Sequence, residues 1–304
     1  MKRRNVLGTL AGLGGMILSR ATGYAAQTGT PVFGHTDPGK YQGVSNAHDG
    51  AGTLPFMVLL DHEVFDTNFL FVHRAEVPPK TGIGEHIHRN MEEMYYIFNG
   101  VAQFTVNGQT AELPGPCCVL CPKGSSHGIY NHTEETLQWL NVAVSVEKGK
   151  GDAINYKDDL SNKQVVSPTP FLWAPIDRSL LKPAAHAHLG KGSILFKRLW
   201  ANDSFQTNWD FTDHCVLPPD TSIGYHQHNA IEEIYYLVKG RGRMTVNDHT
   251  FDVGPGDAVP CTLHDSHGLY NNSSEDILLI VNSCGSKGKG VYDVNNWDND
   301  LSKK

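Results

Sequence analysis

Short runs in which apolar and polar residues alternate recur along the chain. Ala102, Phe104 and Val106 interleave with Gln103 and Thr105, the period of two that sends one face of a strand into a core. A mostly apolar run at 92–98 precedes them, and a second alternating run at 109–113 follows across Asn107-Gly108, a pair suited to a two-residue hairpin turn. Asn247-Asp248 stands at the equivalent place later in the chain. Short strands divided by turns at this spacing predict an all-β sandwich or barrel in which helix is minor.

The pattern occurs twice. TGIGEHIHRNMEEMYYIFNG at 81–100 and TSIGYHQHNAIEEIYYLVKG at 221–240 agree at ten of twenty positions without a gap, 140 residues apart. The register persists at SHGIYN (126–131) against SHGLYN (266–271), and the closing KGKG segments correspond with a shift of one or two residues. Two copies of one domain follow, at 26–165 and 166–304. Between them a proline-rich stretch holds Phe171, Leu172, Trp173 and Ile176, too apolar for a solvated tether. It is expected to be an ordered arm lying across a barrel mouth.

The repeated positions carry metal chemistry. His86 and His88 are two apart in an extended run, so both leave one face. Glu93 returns to that interior after a turn at Arg89 to Glu92, and His127 arrives from a later strand. Three imidazoles and a carboxylate suit a divalent first-row metal with two coordination positions left open. His226, His228, Glu233 and His267 repeat the set. Glu92 and Glu232 read as neighbours of the site, Tyr95 and Tyr235 as core aromatics, and the isolated His186 and His188 as a surface pair with no carboxylate in register.

These motifs resemble the cupin superfamily: Gly84, His86, His88, Glu93 and Gly100, then Pro122, Gly124, His127 and Asn131. The later copy departs from the second motif, with Pro260 seven residues before His267 and His264 where Gly124 would align, so a different turn is expected there. The resemblance implies two tandem double-stranded β-helix (jelly-roll) barrels, a bicupin, with two metal ions per chain. Manganese or iron suits the ligand set best; nickel, cobalt, copper and zinc are also admitted.

Composition narrows the rest. The formal charge is −7, and the first 25 residues contribute Lys2, Arg3, Arg4 and Arg20 with no acid, so the remainder carries −7 − 4 = −11. That charge repels phosphate backbones, so no nucleic-acid partner is expected. Residues 1–25 read as an export leader of twin-arginine type, with Arg3-Arg4, an apolar run too short to span a bilayer, and Gly23-Tyr24-Ala25 before the cut. A periplasmic or secreted protein without membrane insertion follows, with a small-molecule substrate and room for homo-oligomerisation. The six cysteines are expected to be mostly buried thiols, with Cys215 and Cys284 the pair left open to bonding.

No nucleophile motif or dinucleotide fingerprint appears, so the metals carry any chemistry. The leading expectation is an O₂-dependent dioxygenase acting on a small phenol or enol, with Glu93 and Glu233 as catalytic bases and the first copy, whose motifs are the more complete, as the active one. The alternatives are a manganese decarboxylase similar to the oxalate decarboxylases, and a non-catalytic binding protein. Against the decarboxylase, Ile83 and Ile223 stand where that family's carboxylate-clamping arginine would be.

Overall fold

The computed structural model describes residues 33–304, so the expected leader lies outside the described residues. Each half forms two facing antiparallel sheets, one of seven strands and one of five. In the first half the five-stranded sheet runs Ile154–Asn155, Gly82–Ile87, Ser126–Tyr130, Val101–Val106 and Gln109–Pro114. The second half repeats this arrangement with Asn295–Asn296, Ser222–Gln227, Ser266–Tyr270, Gly242–Val246 and His249–Val253. Among the described residues only short 3₁₀ turns are helical, and none is long and apolar enough to cross a membrane.

The strand Met91–Ile97 shows how the halves meet. All seven of its residues are buried, because both faces of its sheet are covered. Tyr95 and Ile97 point into their own barrel beside Val119 and Trp139. Met94 and Tyr96 point the other way, into a core shared with Trp209, Ile234, Tyr236 and Ile280 of the second half. The Tyr96 hydroxyl donates to Asn282 Oδ1 across that boundary at 2.7 Å.

Two carboxylates lock the same interface reciprocally. Glu92 accepts from the Gln206 amide at 2.9 Å and from the Thr207 amide and hydroxyl, each at 2.7 Å. Glu232 accepts from the Asp66 amide at 2.9 Å, the Thr67 amide at 2.8 Å and the Thr67 hydroxyl at 2.5 Å. These glutamates therefore face away from the metal ligands and hold the opposite barrel, a role that the repeat alone did not distinguish from a place beside the site.

The seven-stranded sheets also exchange edges. Gly34–His35, near the start of the first copy, pairs with Asp257 and Ala258 of the second. Trp173–Pro175 pairs with Cys117–Val119 of the first. The proline-rich arm is thus an edge strand with Ile176 in the shared core, not a cover over a barrel mouth. All six cysteines are buried and free. Cys215 sits inside the second barrel while Cys284 belongs to the inter-barrel core, which keeps them apart.

Candidate metal centre

The first site assembles from three strands. His86 on Gly82–Ile87 lies directly across from His127 on Ser126–Tyr130, His88 follows one residue past the strand end, and Glu93 comes from Met91–Ile97. The ligand atoms of these four buried residues lie within 4.8 Å of one another, as do those of His226, His228, Glu233 and His267. Glu93 Oε2 stands 3.8, 3.1 and 2.7 Å from Nε2 of His86, His88 and His127. Glu233 Oε2 stands 3.8, 3.6 and 2.9 Å from the corresponding atoms of His226, His228 and His267.

Hydrogen bonding behind the rings shows that a cation belongs there. Nδ1 of His86 donates to Gly84 O at 2.8 Å, His88 Nδ1 to Asp152 O, and His127 Nδ1 to Ser125 O at 3.3 Å. In the second barrel His226 donates to Gly224 O at 2.8 Å, His228 to Asp293 O, and His267 to Asp265 O at 3.2 Å. A carbonyl can only accept, so each neutral ring carries its proton on Nδ1 and presents a bare Nε2. Three lone pairs then face a carboxylate with no proton to share, an arrangement that a divalent cation satisfies. Nε2 of His86, His226 and His228 is buried without any hydrogen bond.

Protonation of His86, His127 or His226 does not substitute for the cation. Burial, helped by the facing His127, pushes His86 down to about 4, and burial with His267 pushes His226 down to about 3. Burial also lowers His127. Burial acts to lower His88 as well, but the charge and hydrogen bond of Glu93 together with Asp152 turn the net direction up. Burial would raise both glutamates, yet the surrounding imidazoles hold them well below the usual carboxylate range.

The turn expected to differ between the copies does not. Gly124, at φ 81°, donates its amide to His88 O at 2.7 Å, and His264, at φ 69°, donates to His228 O at 2.9 Å. Thr262 takes the place of Pro122 in closing the turn, with Asp265 N donating to Thr262 O at 3.0 Å. His264 thus adopts a left-handed conformation that glycine takes at no cost.

Other residues come forward that sequence reasoning missed. His188, read as half of a surface pair, stacks on His226 with ring centroids 3.8 Å apart, and His48 stacks on His86 at the same distance. Their Nδ1 atoms donate to Asn296 Oδ1 at 3.1 Å and Asn155 Oδ1 at 2.9 Å. The loops carrying them pass so close that a Cβ on Gly84 would lie 2.2 Å from His48 O, and one on Gly224 1.9 Å from His188 O. Asp152 fixes the ligand turn by accepting from the Arg89 amide at 2.9 Å and the Asn90 amide at 2.8 Å. Asp293 does the same for Asn229 and Ala230. Their signal was the repeat itself, read in the shifted register of the closing segments. Tyr95 and Tyr235 meet His127 and His267 edge-on at 5.5 Å as buried aromatics.

Residues 73–143 and 213–282 each match the cupin domain family. The chain carries two cupin domains. This bicupin is 29% identical over 92 residues to an oxalate-binding protein of Thermotoga maritima, a match covering 30% of the chain and 76% of that protein. It is 36% identical over 65 residues to an uncharacterized protein of Methanocaldococcus jannaschii, covering 21% of the chain and 52% of that protein. Among solved structures the bicupin resembles oxalate decarboxylase from Bacillus subtilis, with TM-score 0.60, 15% identity, and 88% of this chain and 79% of that one covered. It also resembles a salicylate 1,2-dioxygenase from Pseudaminobacter salicylatoxidans, with TM-score 0.59, 14% identity, and 76% of each chain covered. At such identities the structural likeness speaks for the fold alone. The two clusters make it a metalloprotein with two His₃Glu centres suited to divalent first-row metals.

Proposed function

We propose that this bicupin is a manganese-dependent decarboxylase of a small carboxylic acid. The observation that carries the reading is the pair of buried His₃Glu clusters, each with bare Nε2 atoms converging on one carboxylate oxygen. Support comes from the relatives, since oxalate and salicylate, named for the similar proteins, are both small carboxylates. This reading replaces the phenol or enol dioxygenase as the leading one.

A divalent ion held by either ligand set would supply a Lewis acid that polarises a substrate oxygen. The chain's own groups do the rest. The imidazoles are oriented through their carbonyl partners, and buried aromatic and aliphatic walls keep water from the reacting carbon. The reaction breaks the bond to the carboxyl carbon, CO₂ leaves, and a proton takes its place. The proton is handled by the ligand glutamate of the barrel that binds the acid. Ile83 and Ile223 offer the acid no charge, so its carboxylate must be recognised from another part of the wall.

A dioxygenase remains the second reading because the fold likeness extends to one. Gas balance separates them. Protein reconstituted with Mn(II) or Fe(II) is expected to release one CO₂ per small carboxylate consumed without net O₂ uptake. Stoichiometric O₂ consumption would establish the dioxygenase instead.

A further inference from the structure

The two barrels share their ligands but not the walls around them. In the first barrel the cross-strand pair Val58 and His73 lies at the position that Arg198 and Asp213 occupy in the second. His73 stacks on Phe71 with centroids 3.7 Å apart, and burial holds it neutral by pushing it down to about 3. In the second barrel Arg198 Nε and Nη2 each donate to Asp213 at 2.9 Å, and the guanidinium lies 4.0 Å above the Phe211 ring.

That guanidinium lines a cleft of about 310 Å³ together with Asp210, Asn202 and Tyr292. Tyr292 also packs on the ligand His228 with centroids 5.1 Å apart, so one aromatic ring separates the cleft from the second cluster. The first barrel has Gly151 at the corresponding register, one before Asp152 as Tyr292 is one before Asp293. Asp213 engages two of the five guanidinium N–H groups and leaves three free. The acid that lines the cleft, Asp210, accepts the Gly290 amide at 2.6 Å.

A second difference lies at the glutamates. Asn141 donates to Glu93 Oε1 at 2.6 Å, the oxygen other than the one that faces the His127 ring. Val281 occupies the equivalent place, and Glu233 Oε1 has no hydrogen-bond partner among the described residues.

We propose that the second barrel is the substrate site, with Arg198 as the anchor for the substrate carboxylate, and that the first barrel is a structural metal centre. This rests on the carboxylic-acid reading above and assigns its chemistry to one half, against the expectation that the first copy is active. A guanidinium braced by a carboxylate below and an aromatic ring beneath its face is held ready to bind a second carboxylate through its free edge.

The test uses the full chain loaded with Mn(II), with oxalate and salicylate as probes, read by titration calorimetry and Mn(II) EPR. One anion is expected per chain, perturbing one of two manganese signals. Arg198→Val alone would strand a buried Asp213. The informative variant is therefore R198V/D213H, which installs the first barrel's own pair and is expected to lose affinity by about tenfold or more at unchanged metal content. Two anions per chain, no anion on the loaded chain, or affinity within about twofold in the double variant would overturn the proposal. Binding through Arg198 without CO₂ release would leave it standing and remove the decarboxylase reading. CO₂ release indifferent to the double variant would do the reverse.

Discussion

Glu233→Gln is expected to lower CO₂ release by about 10²–10⁴-fold, the usual loss when a positioned proton-transfer group is removed. The amide oxygen can still coordinate, so metal content should hold. Glu93→Gln is expected to leave turnover within about twofold, because Asn141 already occupies the second oxygen of Glu93. Steady-state rates and metal analysis of the two variants and their combination check this together. Full activity in the double variant with its metals retained would remove both glutamates from the reaction. A loss confined to Glu93→Gln would move the chemistry to the first barrel.

The second large effect is on stability. Glu92→Ala would leave the Gln206 amide and the Thr207 amide and hydroxyl facing a gap at the barrel interface. Each buried donor left unmade costs about 1–3 kcal/mol, so a loss of at least ~3 kcal/mol is expected. Glu232→Ala should cost a similar amount through Thr67. Denaturant unfolding of the metal-loaded variants measures the cost, and the double variant is expected to unfold barrel by barrel. A change below about 0.5 kcal/mol for either single variant would show that water replaces the clamp without penalty.

How far the molecule was legible in its sequence depended on whether a feature lay inside the repeat. The strands, the ligand residues and their convergence followed from His86, His88, Glu93 and His127 recurring in register, because periodicity fixes which side chains share a face. Glu92 and Glu232 recur just as strictly, yet adjacent strand residues point to opposite faces, and only tertiary packing shows that this face is another barrel. His188 was misread because its stacking partner lies 38 residues away and its loop takes a left-handed conformation that local pattern does not reveal. His264 led to the opposite error, since a non-glycine residue can hold φ 69° when the surrounding hydrogen bonds impose it. Arg198 and Asp213 drew no attention because a search for likeness between copies passes over the positions where they differ.

Elemental analysis of protein purified without added metal tests the central claim most directly. Two complete clusters of buried, proton-poor ligands require close to two first-row ions per chain. One ion or fewer after careful reconstitution would contradict the double centre.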